Sequence, residues 1–136
     1  INSLDEELLS GGVVLSEWTT FLAKDAETAF CSGAYLSSIL ACQAAIECHL
    51  RYEYFSDINT KNWSIFNLIE KAQLDNGLKS ELHDLREYRN KWVHVKDVED
   101  DSQLLERPEY YEVELFEVSK KAIRSMLRVL YSNQFI

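Results

Sequence analysis

The sequence predicts an all-α fold, a bundle of four to five helices that run up and down and are joined by short loops. Apolar residues recur at three- and four-residue steps along most of the 136-residue chain, which is the spacing of one helix face. One Pro and four Gly are too few for the turns of a β-rich fold. The length fits one domain, so residues 1–136 are predicted to form a single unit, alone or within a longer protein.

Two helices are predicted in the first 55 residues, after a short helical turn at the N-terminus. Ser16 is a typical cap for the first helix, and Gly33 is a typical stop after it. The second helix is predicted from Ala34 to about Phe55, and it is apolar almost all round, as expected of a central buried helix. Gln43 and Glu47 interrupt that apolar surface one turn apart. The first helix places these residues at helical steps: Trp18, Phe21, Leu22, Asp25, Ala26, Ala29 and Phe30.

The middle of the chain predicts a short helix followed by a long one. A polar loop over residues 56–62 precedes a short amphipathic helix over residues 63–72. Residues 75–77, Asp-Asn-Gly, predict a turn into a helix from Leu78 to His94. The apolar stripe of this long helix consists of Leu78, Leu82, Leu85 and Trp92.

The last helix is predicted from about Tyr111 to Tyr131. Before it, an acidic stretch that contains the only proline, Pro108, indicates a mobile connection. We expect the helix to bury, at least in part, Val113, Phe116, Ile123, Met126, Leu127 and Leu130. Its other side carries Lys120, Lys121, Arg124 and Arg128.

Charge and cysteine content narrow the class of protein. A net charge of −9 argues against nonspecific binding of nucleic acid, although it leaves room for a local basic site. Cys31, Cys42 and Cys48 lack Cys-x-x-Cys spacing and lie in apolar helical sequence, so they are predicted to be buried thiols of a reducing compartment. No apolar run is as long as a membrane span and no signal peptide is visible, so we expect a cytoplasmic protein.

One group of polar residues in the long helix suggests a functional site. Arg89 falls within the apolar stripe, where a guanidinium is costly unless it is paired or opens onto a cleft. His94 follows five residues later, at the predicted end of the helix. Asn90 lies one turn before His94, on the same face of the helix as the histidine.

Two segments of the chain resemble HEPN domains. Leu82 to His94, LHDLREYRNKWVH, is similar to the Arg-x4-His motif of that family in its Arg-Asn-x-x-x-His form. Ala23 to Phe55 resembles the opening helix pair of the family, with a Gly-x-Tyr turn between the helices. The matching positions in this pair are Ala26, Ala29, Gly33, Tyr35, Gln43, Ala44, Ala45 and Glu47.

The resemblance implies a helical homodimer in which two motifs face each other, and a metal-independent endoribonuclease without a cofactor. It also implies a role in defence or in a toxin–antitoxin system, with an antitoxin or a regulatory protein as a further partner. Members with Tyr two residues after the histidine are not matched, because Lys96 stands at that position.

The chemistry of RNA cleavage suits the motif residues. Attack of a 2′-hydroxyl on the adjacent phosphate needs proton transfer and positive charge near the phosphoryl oxygens. His94 can move the proton, Arg89 can hold the phosphate, and Asn90 can orient either one. Glu47 and Gln43 are predicted to support Arg89 from the central helix. The cations expected to contact RNA are Arg86, Lys91, Lys96, Lys121 and Arg124.

Structural roles are alternatives for the same residues. Arg89 could serve only as a buried partner of Glu47, and His94 could serve only as a helix C-cap. His49 and His83 are expected to be ordinary surface or half-buried residues, and no metal site is predicted. The cations of the last helix could form a solvated face rather than a strip that guides RNA. Besides the endoribonuclease, a second function is possible for the chain: a non-catalytic HEPN module that dimerises or holds a partner or a nucleotide. The net charge favours this second function.

Overall fold

A computed structural model describes residues 2–8, 11–94 and 104–133, and this part of the chain is helical without any β-strand. The all-α prediction is therefore confirmed. None of these helices is both long and apolar enough to cross a membrane. Two of the six helices, α1 and α4, have only seven residues. The helices are α1 Asn2–Leu8, α2 Glu17–Cys31, α3 Tyr35–Tyr54, α4 Ile65–Lys71, α5 Asn76–Val93 and α6 Pro108–Leu130.

Helices α2 and α3 form a hairpin whose ends are set by the predicted signals. The Ser16 side chain accepts a hydrogen bond from the backbone N–H of Thr19, at 3.1 Å, and caps α2. Gly33 has a φ of +84°, which L side chains rarely adopt. This conformation lets Ala34 donate its N–H to the carbonyl of Ala29, at 2.8 Å, and Gly33 donate to Phe30, at 3.1 Å. The pair of bonds is a Schellman motif, which ends α2 and reverses the chain.

Helix α3 lies at the centre of the molecule and contacts α2, α4, α5 and α6. The prediction of a central buried helix is confirmed. Its side chains and those of α6 supply most of the core, and α6 is buried mainly from Leu115 onward. The Ser38 hydroxyl, fully buried, donates to the Ala26 carbonyl of α2, at 2.8 Å. The buried residues of α3 are Ser38, Ile39, Cys42, Gln43, Ala45, Ile46, His49 and Leu50.

The apolar stripe of α5 packs as predicted. Leu78, Leu82 and Leu85 are buried in the core, and Trp92 is half-buried against it. The Trp92 ring meets the Tyr111 ring of α6 edge-on, with centroids 6.3 Å apart. The stripe therefore fixes how α5 is rotated, and with it the direction in which the polar residues near its C-terminal end point.

Three apolar side chains are exposed, and one of them, Val113, was expected to be at least partly buried. Trp18 is 74% exposed and Phe21 is 69% exposed, while Val113 is also on the surface. Helix α2 turns its small residues Ala23 and Ala26 toward the core, since they allow a close approach to α3. Trp18 and Phe21 lie on the neighbouring face of α2 and line an open groove there.

The starts of α5 and α6 differ from the predicted ones. Helix α6 begins at Pro108, three residues before the predicted start, because proline is well suited to the first position of a helix. Asp75 caps α5 by accepting the N–H of Leu78, at 3.0 Å, so Asn76 and Gly77 belong to the helix rather than to a turn before it. Most of the predicted mobile connection, residues 95–103, lies outside the described residues.

Arg51 holds the loop between α3 and α4 in place. Its guanidinium donates to the backbone carbonyls of Thr60 and Trp63, the second at 2.9 Å. It also donates to the Glu47 carboxylate one turn earlier on α3, at 3.0 Å. One side chain thus satisfies two loop carbonyls and one carboxylate, which lets the loop close over the end of the core.

We expect Arg51→Met to lower the free energy of unfolding by about 2 kcal/mol, because two loop carbonyls and Glu47 lose charged hydrogen-bond donors. Urea denaturation followed by circular dichroism measures this change. Lys24→Met, at an exposed lysine of α2, is the matched control and should change stability by less than about 0.5 kcal/mol. Equal stabilities for the two variants would contradict the anchoring role of Arg51.

Candidate functional site

The C-terminal end of α5 carries the three predicted catalytic residues. Arg89 is half-buried and its Nη1 donates to Oδ1 of Asn90, at a long 3.4 Å. His94 is exposed and stands at the C-cap, where its backbone N–H donates to the Asn90 carbonyl, at 3.0 Å. The structure therefore brings Arg89 and Asn90 together and places His94 at the helix end, in the capping position that the sequence also allowed.

The expected ion pair between Arg89 and Glu47 does not form. Glu47 is bound instead by Arg51, which lies one turn away on the same helix and so is closer at hand than a residue of another helix. Gln43, the other predicted support, is buried, and its Oε1 finds no hydrogen-bond partner among the described residues. Between described residues, Arg89 makes no ion pair within 4.0 Å of any carboxylate.

A half-buried guanidinium that has no carboxylate partner in the described part of the chain is suited to binding an anion. Arg89 has five N–H donors, and Asn90 accepts from only one of them in the described part of the chain. Partial burial strengthens the attraction of such a group for a negative ligand, because less water screens the charge. Arg89 is thus able to bind a phosphate or carboxylate group from outside the chain.

His94 and Arg89 are not aimed at the same point. Five residues of helix separate them by about 7.5 Å along the axis and about 140° around it. Asn90 lies between them, about 100° from Arg89. A ligand held by Arg89 in one chain would therefore meet Asn90 more readily than His94.

Most of the cations predicted to contact RNA are already engaged. Arg124 binds Glu7 of α1 through two hydrogen bonds, at 2.7 and 3.2 Å. Arg86 lies over the Phe66 ring and near the Glu87 carboxylate, at 3.6 Å. Lys91 lies 3.7 Å from Glu114.

Lys121 is the exception among the predicted RNA contacts that can be described. It is exposed and forms no ion pair within the described ranges. Its neighbours on α6 are paired, Lys120 with Glu117 and Arg128 with Glu81 and Asp75. Lys96 lies outside the described residues.

His83 is half-buried, as expected, and both of its ring nitrogens are occupied. Nε2 lies 2.6 Å from the Glu70 carboxylate, and Nδ1 accepts from Nε of Arg86, at 3.4 Å. A ring held in this way has no free nitrogen for proton transfer to a ligand. His83 therefore serves to join α4 to α5.

His49 differs from its prediction, since it is fully buried, with 1% of its surface exposed. Neither ring nitrogen has a hydrogen-bond partner in the described part of the molecule. Burial lowers the pKa of His49, and the nearby Glu53 carboxylate opposes this effect more weakly. The imidazole is therefore neutral at pH 7, and the apolar all-round character of α3 was the signal that could have indicated its burial.

A cluster of aromatic residues where α5 meets α6 was not predicted. The Tyr88 hydroxyl donates to the Glu114 carboxylate, at 2.8 Å, and Lys91 lies over the Tyr88 ring. Burial raises the pKa of Tyr88 to about 12; the Trp92 indole lowers it and Glu114 raises it. The indole lies close to the Tyr88 hydroxyl, although its buried Nε1 makes no hydrogen bond of normal geometry there. The Tyr110-Tyr111 pair at the start of α6 was the sequence signal for this cluster.

The three cysteines occupy different environments. Cys42 is buried, as predicted, and burial raises its pKa to about 12, so the thiol is a poor nucleophile. Cys48 is half-buried and accepts a hydrogen bond from the Thr19 hydroxyl, at 3.2 Å. Cys31, the last residue of α2, is exposed, contrary to the prediction. Within the described ranges no three His, Cys, Asp or Glu side chains cluster closely enough to hold a metal ion.

Comparison with protein-family models, with curated proteins and with solved structures gave no match to this chain.

We expect the free energy of unfolding to fall as the pH is lowered through 6.5. His49 has a lowered pKa in the folded protein, so the unfolded chain binds more protons below pH 6.5. The stability is full above that pH and is lost by at most about 1.4 kcal/mol per pH unit. Urea denaturation at pH 7.5 and 5.5 measures the difference.

The variant His49→Leu isolates the contribution of this one residue, since carboxylates also titrate at low pH. It should lose less stability between pH 7.5 and 5.5 than the unmodified chain. An equal loss in both proteins would show that His49 is not the group responsible.

Proposed function

We propose that this chain is a metal-independent endoribonuclease of the HEPN type. It acts in the cytoplasm, in a defence or toxin–antitoxin system, under the control of an antitoxin or a regulatory protein. It cleaves RNA by attack of a 2′-hydroxyl on the adjacent phosphate. The resemblance at Leu82 to His94 supports this reaction, together with the state of Arg89.

The state of Arg89, which has no carboxylate partner among the described residues, is the observation that carries the proposal. The apolar stripe places its guanidinium at the edge of the core, and no described carboxylate lies within 4.0 Å of it. A phosphodiester supplies the missing negative charge, and its oxygens match the fork of guanidinium donors. In the transition state the phosphoryl oxygens gain charge, so this interaction becomes stronger as the reaction proceeds.

His94 and Asn90 have separate roles in the proposed reaction. The exposed imidazole of His94 can remove the proton of the 2′-hydroxyl or supply one to the leaving 5′-oxygen. Asn90 is hydrogen-bonded to Arg89 and can orient the guanidinium or the scissile group. The products are a 2′,3′-cyclic phosphate and a free 5′-hydroxyl.

The proposed working unit is a homodimer, because one chain offers a single free imidazole. His83 is held by Glu70 and Arg86, and His49 is buried. A reaction that needs one base and one acid is better served by two histidines. A two-fold axis beside the end of α5 would bring two His94 and two Arg89 to one cleft and would cover the exposed Val93.

A non-catalytic HEPN module that dimerises or holds a partner or a nucleotide is the second candidate function. The pairing of the α6 cations favours it, since Lys120, Arg124 and Arg128 are already neutralised by carboxylates. The net charge of −9 points in the same direction. Cleavage of RNA by the purified chain separates the two functions.

We expect purified protein to cut RNA in the presence of a chelator, and His94→Ala to slow cleavage by about 10²- to 10⁴-fold because proton transfer is lost. Arg89→Lys should also slow it, since a lysine cannot form the two-pronged contact to phosphate. His83→Ala is the control and should cut at nearly the normal rate. Gel analysis of labelled RNA and end-group mapping measure rate and product.

His94 is exposed, so its replacement should leave the circular dichroism spectrum and the thermal midpoint unchanged. A requirement for added divalent metal, or normal cleavage by both site variants, would contradict the proposed mechanism. Binding without cleavage by the unmodified chain would favour the non-catalytic module.

We also expect light scattering to give the mass of a dimer and the specific activity to fall at protein concentrations where the dimer separates. Mixing the inactive variants His94→Ala and Arg89→Lys should restore part of the activity if the two chains share a site. A monomer with full activity would rule out the shared cleft.

A further inference from the structure

We propose that an exposed aromatic groove on α2 docks a basic amphipathic helix of a partner protein. Among the described residues, this α2 groove is lined by Trp18, Phe21 and Leu22 together with Glu17 and Asp25, and its volume is about 340 Å³. The inference does not depend on the proposed function, because the motif lies on α5. In the described part of the chain, no Cα atom of α2 lies within 8 Å of one of α5.

The two aromatic side chains of the α2 groove are largely open to solvent. Trp18 is 74% exposed and Phe21 is 69% exposed, and no other aromatic side chain in the described ranges is as exposed. They lie three residues apart, which places them about 60° from each other around the helix. Leu22 is half-buried beside them and packs against the core. Neighbouring exposed aromatic residues of this kind are typical of surfaces that bind another protein.

Carboxylates lie on both sides of the aromatic residues. Glu17 and Asp25 are each four residues from Phe21, so each lies about 6 Å from it along the axis and about 40° around the helix. Both are exposed, and neither makes an ion pair with a described residue. The cation of α2, Lys24, lies about 120° from Trp18 around the helix, outside the groove. The described residues therefore leave negative charge at both ends of an apolar centre.

This pattern is complementary to a helix that carries Lys or Arg one turn on either side of an apolar residue. A helix packed along α2 has the same rise per residue, so its basic residues would match the spacing of Glu17 and Asp25. Apolar residues at three- and four-residue steps would fill the groove between them. An arginine of the partner can also lie over the Trp18 ring, because tryptophan attracts cations more strongly than the other aromatic side chains.

Charge disfavours the other occupants of the α2 groove. A second copy of the chain would bring a further net charge of −9 to a surface that is already negative. Residues 95–103 of this chain contain four carboxylates and one lysine, so their charge is also of the wrong sign. The phosphates of RNA would be repelled by Glu17 and Asp25 for the same reason. A basic partner protein is the occupant whose charge matches.

Selection from a peptide library tests the chemistry of the partner. Random peptides of about 16 residues, long enough for four helical turns, are displayed on phage and selected on the unmodified chain. Peptides that bind the double variant Trp18→Ala/Phe21→Ala are removed first. We expect the recovered sequences to be rich in Lys and Arg, with apolar residues at three- and four-residue steps. Recovery of no binder, or of binders without this pattern, would overturn the inference.

The contribution of each aromatic ring is measured with the most frequent selected peptide, by fluorescence anisotropy. We expect Trp18→Ala and Phe21→Ala each to weaken binding by at least about tenfold, because aromatic residues at the centre of an interface supply much of its affinity. Val113→Ala, at an exposed residue of α6, is the matched control and should bind normally. All three side chains are exposed, so the circular dichroism spectra should not change.

The role of the carboxylates is separated from general attraction between a basic peptide and an acidic protein. Glu17→Gln and Asp25→Asn should each weaken binding by about twofold to fivefold, as expected for exposed ion pairs. Glu112→Gln, at an exposed carboxylate of α6, should have no effect. At about 1 M salt, which screens exposed charges, the difference between the unmodified chain and the groove variants should disappear. An equal effect of Glu112→Gln would contradict the proposed complementarity.

Two further measurements identify the other occupants. Light scattering should give the same mass for the unmodified chain and for Trp18→Ala/Phe21→Ala, and loss of a dimer in this variant would show that a second copy covers the groove. A synthetic peptide of residues 95–103 should not bind, and binding that Trp18→Ala abolishes would show that the chain covers its own groove. Either result would overturn the inference, and neither depends on whether the chain cuts RNA.

Discussion

The burial of α3 is the constraint on which the rest of the structure depends. A helix that is apolar nearly all round is stable in water only when other helices cover it on every side, and α2, α4, α5 and α6 do so. Arg51 lies near its C-terminal end, where the guanidinium closes the loop into α4. Because α5 covers one side of α3 with its leucine stripe, the rotation of α5 about its own axis is also fixed.

That rotation determines the environment of the proposed site. Arg89 lies on the same stripe as Leu85, so packing of the leucine carries the guanidinium to the edge of the core, where it is half-buried. Glu47 was the expected partner of Arg89, but its carboxylate binds Arg51. Arg89 has no carboxylate partner among the described residues, and this state supports the proposed binding of phosphate.

Features that depend on local sequence were predictable, and those that depend on packing were not. The caps at Ser16 and Gly33 and the stripe of α5 follow from backbone hydrogen bonding and helical period, and all are confirmed. The helical period alone could not tell which face of α2 approaches α3. In the structure the small residues Ala23 and Ala26 face the core, and Trp18 and Phe21 are exposed. Glu47 could pair with Arg51 on the same helix or with Arg89 on α5. The sequence gives no distances between helices, so it could not decide between the two.

Burial and hydrogen bonding show which of the three histidines has an available ring nitrogen, and sequence spacing does not. All three could transfer a proton if judged by residue type, but the ring of His49 is buried and both nitrogens of His83 are occupied. His94 is exposed at the end of α5, so of the three it is the one whose imidazole can reach a ligand. It is offset from Arg89 by about 140° around the helix, and this offset limits what a single chain can do. The proposed dimer follows from that limit, because a second copy of α5 can supply the imidazole that faces the phosphate from the other side.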